Sequence, residues 1–254
     1  MSSTSFIPGR GKARYVLASA CVLAALVQIG VALMVLRQPA ADAWLSTADG
    51  ALRARVLLPA GIAVCMELAA GLAVYMMRVE ALACMGCLLA RLCARMVDGP
   101  VPLVKLLDLS FFLILTWFMV RLFARSATSH ASAPPGRHRP RVMLLVGLAF
   151  GHLTVLANDL PAWFALVSTA SVSLLAVLGG LFGCGALYAA AAMLQARPQR
   201  AATLFVFAAL ALALSLLAWG GQYAFAAPFW LGVPVAILGV ALARNGATPG
   251  SRVG

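Results

Sequence analysis

Apolar runs long enough to cross a bilayer recur along this 254-residue chain, and most of its charges lie in the short stretches between them. A helix needs about 20 predominantly apolar residues to span the hydrocarbon. Tyr15–Leu36, Val56–Met77, Val101–Val120, Ala202–Trp219 and Pro228–Ala243 meet or approach that length, and a shorter run, Val142–Ala157, sits between Arg141 and Asn158-Asp159. With 63% hydrophobic residues, 10% charged residues and a mean hydropathy of +0.99, the chain must use lipid as its solvent for most of its length. The expected fold class is therefore all-α, a polytopic transmembrane helix bundle, because helices satisfy every backbone polar group within one segment.

Two segments are awkward. Ala162–Leu194 is an apolar run of 33 residues, about 50 Å as one helix, so it is expected to tilt, project, or break near Gly179-Gly180. Glu80–Val97 is interrupted by Arg91 and Arg95, and the charge distribution decides whether it crosses. If it does not, Arg121, Arg125, Arg137, Arg139 and Arg141 fall on the side opposite Arg10, Lys12 and Arg14, against the positive-inside rule. If it does, the chain has eight spans and both termini cytoplasmic. Thirteen basic residues then lie inside and five outside (Arg37, Arg53, Arg55, Arg91 and Arg95), with Lys105 within a span. Under that orientation Trp44, Trp163, Trp219 and Trp230 fall at the outer interface and Trp117 near the inner one. Pro59, Pro102, Pro161 and Pro228 mark the first turns of helices entering from outside, where a missing N–H is tolerated.

The layout repeats at an offset of about 125 residues. Residues 1–125 form a first four-helix half and 142–254 a second, joined by a flexible basic cytoplasmic linker, 126–141. An even number of spans in each half would set both halves the same way round. Without residue-level identity between them, the pattern fits a duplication and equally fits any even-numbered bundle obeying the charge rule. Leu17-Ala18-Ser19-Ala20-Cys21 resembles a lipoprotein cleavage box, but six residues from Arg14 to Cys21 are too few for a signal-peptide core, which leaves a retained first helix. The loop Gln38–Arg55 has room for a short surface helix around Trp44.

The net charge of +12 lies mostly on inner turns, which points to topology and anionic headgroups. Nucleic acid is not an expected partner, since the basic linker lacks interleaved aromatics apart from its histidines. The expected partners are the lipid bilayer and a membrane protein or second copy of the chain. Seventeen arginines against two lysines, with abundant alanine, favour a bacterial coding bias and hence a bacterial inner membrane.

Ionisable groups within spans are functional candidates because each is costly in lipid. Glu67, the twelfth residue of Val56–Met77, has no opposite charge one turn away on its own helix, so it must find a partner across helices or stay protonated. His152 lies mid-span in the fifth run. Lys105 and Asp108, three apart on the fourth, share a helix face and can pair, with the lysine reaching toward the interface. These four make up the candidate transport site. Glu80, Cys84, Cys87, Arg91 and Arg95 follow a helical spacing that gives the third segment one polar stripe, directed at a cavity, at a partner or, for the arginines, at the outer surface. Gly179 and Gly183 form a Gly-x-x-x-Gly expected to pack two helices closely.

Cys84-x-x-Cys87 raises a thiol redox pair, against which stand its position near the reducing side and the scatter of six cysteines over four segments. Packing is the preferred role. No metal or other cofactor is expected: one intramembrane histidine cannot make a bis-histidine haem, and no histidine accompanies the cysteines. With no phosphate loop, His-Glu-x-x-His or Gly-x-Ser-x-Gly, catalysis has no visible carrier. Two functions remain in front: a small-solute or proton-coupled transporter with its polar site at Glu67, and a non-catalytic membrane subunit or scaffold that docks a partner.

Overall fold

The computed structural model describes residues 8–36, 50–97, 103–128, 139–168, 173–219 and 227–247. These contain eight helices and no strand: α1 (Pro8–Leu36), α2 (Gly50–Tyr75), α3 (Ala81–Val97), α4 (Leu103–Thr128), α5 (Arg139–Ser168), α6 (Leu174–Met193), α7 (Pro198–Ala218) and α8 (Ala227–Ala247). Five of them are long and apolar enough to cross a membrane: α1, α4, α5, α6 and α7. The chain is thus a multi-pass membrane protein. Stretches Ala60–Tyr75 of α2 and Phe229–Arg244 of α8 are apolar but shorter.

At 17 residues α3 is the shortest helix, about 25 Å against a hydrocarbon core of about 30 Å. It lies at the centre. Met85 to Ala90 are all buried, so every side of its middle is covered by protein, chiefly α5, α2 and α4. A helix shielded in this way carries Arg91 without presenting the arginine to acyl chains.

Around α3 the helices pair by sequence proximity: α1 packs on α2, α6 on α7, and α7 on α8. The most extensive contact outside this order is α3–α5, which joins α1–α4 to α5–α8. One core, around Leu82, Met85, Phe112 and Met119, fills the first half and takes in Leu144 and Leu148 of α5. Two others fill the second, one around Leu145, Leu187 and Phe205, the other around Leu212, Trp219 and Phe229.

Lipid tails are as apolar as these side chains, so helix association depends on close packing, which small residues permit. Gly86 of α3 faces the backbone of Leu144 and Gly147 on α5, and Gly147 in turn faces the backbone of Ala83. One turn on, a Cβ at Gly151 would stand 2.6 Å from the Cys87 carbonyl oxygen. The crossing is therefore built on Gly147-x-x-x-Gly151 against Ala83, Gly86 and Cys87, with main chain touching main chain.

The link between α2 and α3 is equally tight. Met77 has φ of +56°, the left-handed conformation. Its N–H donates to the Val74 carbonyl (2.9 Å) and that of Arg78 to the Ala73 carbonyl (2.7 Å), a Schellman closure that satisfies the last carbonyls of α2. Methionine occupies the place glycine usually takes.

Four expectations are corrected. The run 162–194 does not break at Gly179-Gly180, which lie inside continuous α6; the helices are bounded at Ser168 and Leu174, after the backbone of α5 has continued through Asn158, Asp159 and Pro161. Pro59 and Pro161 are internal to α2 and α5 and start no helix, whereas Pro228 does lie in the first turn of α8. Trp219 is 2% exposed and packs edge-on to Phe229, ring centroids 5.7 Å apart, because the α6–α7–α8 core extends to the end of α7. Trp230, by contrast, is exposed. Trp44 and Pro102, the loop from Gln38 to Asp49 and most of the proposed linker, residues 129–138, lie outside the described residues.

Candidate functional site

Glu67 faces inward from the middle of α2 and is 0% exposed. The charge has no helical neighbour of opposite sign, so its contacts come from other helices. Gln28 of α1 donates from Nε2 to Glu67 Oε1 at 2.5 Å. The second carboxyl oxygen, Oε2, is buried and has no hydrogen-bond partner among the described residues. Asp108 of α4 lies within electrostatic reach of Glu67, and Arg95 of α3 within reach of Asp108.

Lys105 reaches the end of α3. Its Nζ donates to the Arg95 carbonyl oxygen at 3.0 Å, supplying one of the last four carbonyls of α3 with a donor that the helix itself cannot provide. Gln28–Glu67 and Lys105–Arg95 are the bonded pairs of this polar series across α1, α2, α3 and α4, and Asp108 is linked to Glu67 and to Arg95 through charge alone. Exposure falls along it, from exposed Arg95 through half-buried Lys105 and Asp108 to enclosed Glu67. Beyond Glu67, toward the Tyr75 end of α2, Leu17, Cys21, Ala70 and Val74 close the interior with apolar atoms.

His152 belongs to a different place. It is 0% exposed on α5, and its Nδ1 shares a 2.8 Å hydrogen bond with the Tyr188 hydroxyl of α6. Cys184 lies one turn before Tyr188 on the same helix. Gly232 of α8 makes room for the ring, since a Cβ there would stand 3.2 Å from His152 Nε2. Glu67 is bonded to Gln28 of α1, whereas His152 is bonded to Tyr188 of α6 and lies against Gly232 of α8, so the two residues have separate polar partners.

The stripe on α3 divides in the same manner. Cys87 and Arg91 turn toward α5: Arg91 Nη1 donates to Thr154 Oγ1 at 3.4 Å, and that hydroxyl donates to the Gly151 carbonyl at 2.7 Å. Glu80 and Arg95, at its two ends, are exposed. All six cysteines are free, and Cys87 is pressed against Gly151. Among the described residues no three of His, Cys, Asp and Glu converge as a metal would require. Of the two glycines expected to pack helices, Gly183 meets Leu212 of α7, a Cβ standing 3.1 Å from its backbone nitrogen, but Gly179 faces open space. Gly180, one residue on, is the one covered, by the ring of Phe229.

Sequence reasoning missed Gln28, Tyr188 and Thr154, each an uncharged partner distant in sequence. It also missed Gly147 and Gly151, although their Gly-x-x-x-Gly spacing is the same signal that singled out Gly179 and Gly183. No family model matches the chain, and searches of curated proteins and of solved structures likewise find no match.

Proposed function

We propose that this protein is a small-solute transporter coupled to protons, with Glu67 as the proton-carrying group, eight membrane crossings and both termini in the cytoplasm of a bacterial inner membrane. The observation that carries this reading is the cluster around Glu67. A fully enclosed carboxyl with one oxygen engaged by Gln28 and the other without a partner among the described residues sits at the deep end of a polar series beginning at exposed Arg95. A carboxyl kept in this state has spare capacity to accept and release a proton, and intramembrane carboxyls of this kind mark proton pathways. In the proposed orientation the series leads inward from the outer side, and the apolar residues beyond Glu67 close the other direction, an arrangement that fits access to one side at a time.

The site is placed in the first half alone, because His152 contributes to a separate cluster. The competing role, a non-catalytic subunit or scaffold, needs the α3 stripe to face a partner. It is disfavoured by Cys87 and Arg91, which face α5 and leave only Glu80 and Arg95 exposed on that stripe.

Reconstituted liposomes carrying an internal pH dye test the proposal under a clamped membrane potential. An external acid step is applied with pools of amino acids, organic acids, amines or sugars. Wild type is expected to acidify the lumen with at least one pool, and Glu67→Gln, folded and inserted at the same level, is expected not to. Undiminished acidification by Glu67→Gln would remove Glu67 as the carrier. No solute-dependent acidification by wild type would favour the scaffold role.

A further inference from the structure

On the exposed flank of the first half, α1 and α2 leave an apolar groove between them. Small residues form its floor: Ala18, Ser19 and Gly71, where the helices come so close that a Cβ on Gly71 would stand 3.2 Å from the Ala18 carbonyl oxygen. Leu26, Leu68 and Leu72, all exposed, form its sides. Tyr15 and Tyr75 stand at one end, ring centroids 5.6 Å apart.

At that same end Arg14 lies over both rings, its guanidinium carbon 4.9 Å from the centroid of Tyr15 and 5.8 Å from that of Tyr75. One Nη donates to the Tyr15 hydroxyl at 3.1 Å. No carboxylate pairs with Arg14 among the described residues, and its buried Nε has no acceptor. Lys12 and Arg78, both exposed, flank the site in sequence on α1 and just after α2. The two tyrosines thus hold a guanidinium in place with one Nη bonded to Tyr15 and the other without a protein acceptor among the described residues, and the planar end formed by the two Nη groups matches a phosphate. An apolar channel open along a helix pair accepts an acyl chain.

We propose that the α1–α2 groove is a binding site for an anionic phospholipid, whose phosphodiester sits on Arg14 and one of whose chains runs along Ser19 and Leu26 of α1 and Leu68 and Leu72 of α2. The choice of occupant rests on charge complementarity. A bare apolar groove takes any lipid tail, but Arg14, stacked on the two tyrosines at one end and without a carboxylate partner among the described residues, selects a headgroup of net negative charge. The site is independent of Glu67 and of any transported solute.

Native mass spectrometry of the purified full-length chain tests the site, with phosphatidylglycerol and phosphatidylcholine of identical chains supplied together. Wild type is expected to retain phosphatidylglycerol in preference by about fivefold, the effect of one basic residue near a lipid surface. Arg14→Gln is expected to bring the two lipids to parity, Arg14→Lys to keep part of the preference, and Ser19→Trp, which fills the groove floor, to lower retention of both. Soluble glycerophosphoglycerol should not displace the lipid, since the chain supplies much of the contact. A phosphatidylglycerol carrying a photoreactive chain should crosslink wild type at α1 and α2, a readout that needs no variant to fold. Equal retention of the two lipids by wild type, an unchanged preference in folded Arg14→Gln, displacement by the soluble headgroup, or crosslinks lying on other helices would each overturn the proposal.

Discussion

Glu67 is held by a single hydrogen bond from Gln28, and its second oxygen has no partner among the described residues, so substitutions at the two positions separate structure from function. Glu67→Ala leaves the Gln28 amide with one fewer acceptor and is expected to lower stability by about 1–3 kcal/mol. Glu67→Gln keeps shape and hydrogen bonding and should unfold close to wild type while losing proton coupling. Gln28→Leu, which strips Glu67 of its donor, should destabilise by a similar 1–3 kcal/mol. All three are checked by thermal unfolding in a fixed detergent. Glu67 was legible in the sequence because a carboxyl within an apolar run stands out by its cost. Gln28 was not legible, since an uncharged amide 39 residues away gives no sign of which helix it will face. The same holds for His152, whose position in mid-run was evident and whose partner Tyr188 was not. Lys105 and Asp108 looked paired from their spacing alone, but the carbonyl ends of a neighbouring helix compete for a lysine, and that demand is invisible without knowing which helix ends nearby.

At the scale of elements, the glycines make the clearest contrast. Gly147 meets the backbone of Ala83, which cannot move aside, whereas Gly179 faces open space. Gly147→Leu is expected to push α5 off α3 and cost about 3 kcal/mol or more, above the usual range for overpacking, while Gly179→Leu should change stability by about 0.5 kcal/mol or less. Reading the unfolding midpoints side by side decides it; equal effects would mean that the α3–α5 crossing is not built on close contact. The turn at Met77 offers a second test. Met77→Val places a β-branched residue in the left-handed region and should destabilise by about 1–2 kcal/mol, whereas Met77→Gly relieves the strain and loses some packing, leaving stability near wild type. The existence of the helices was legible because each needs one long apolar run. Their ends were not, since Asn158-Asp159 read as a stop and Pro161 as a start but both are carried within α5, and glycines that look like a break at 179–180 serve instead to receive Phe229 and to face outward.

For the whole molecule, α1–α4 and α5–α8 meet chiefly through α3 and α5, and the central position of α3 explains how a short helix carrying Arg91 can belong to a membrane bundle. Charge counting had raised α3 as a crossing segment without a reason for lipid to tolerate it; the cover provided by α2, α4 and α5 supplies that reason. The proposed crossing of α3 would fix the number of spans and the side on which each charge lies, and with it the outward path proposed for Glu67. Single cysteines at Ser46, Asp98 and Ser129, introduced after the six native cysteines are replaced, measure it directly with a membrane-impermeant thiol reagent. Labelling of Ser46→Cys and Asp98→Cys only from outside, and of Ser129→Cys only from the cytoplasm, is the predicted result; labelling of Asp98→Cys from the cytoplasm, or of Ser46→Cys and Ser129→Cys from one side, would contradict it.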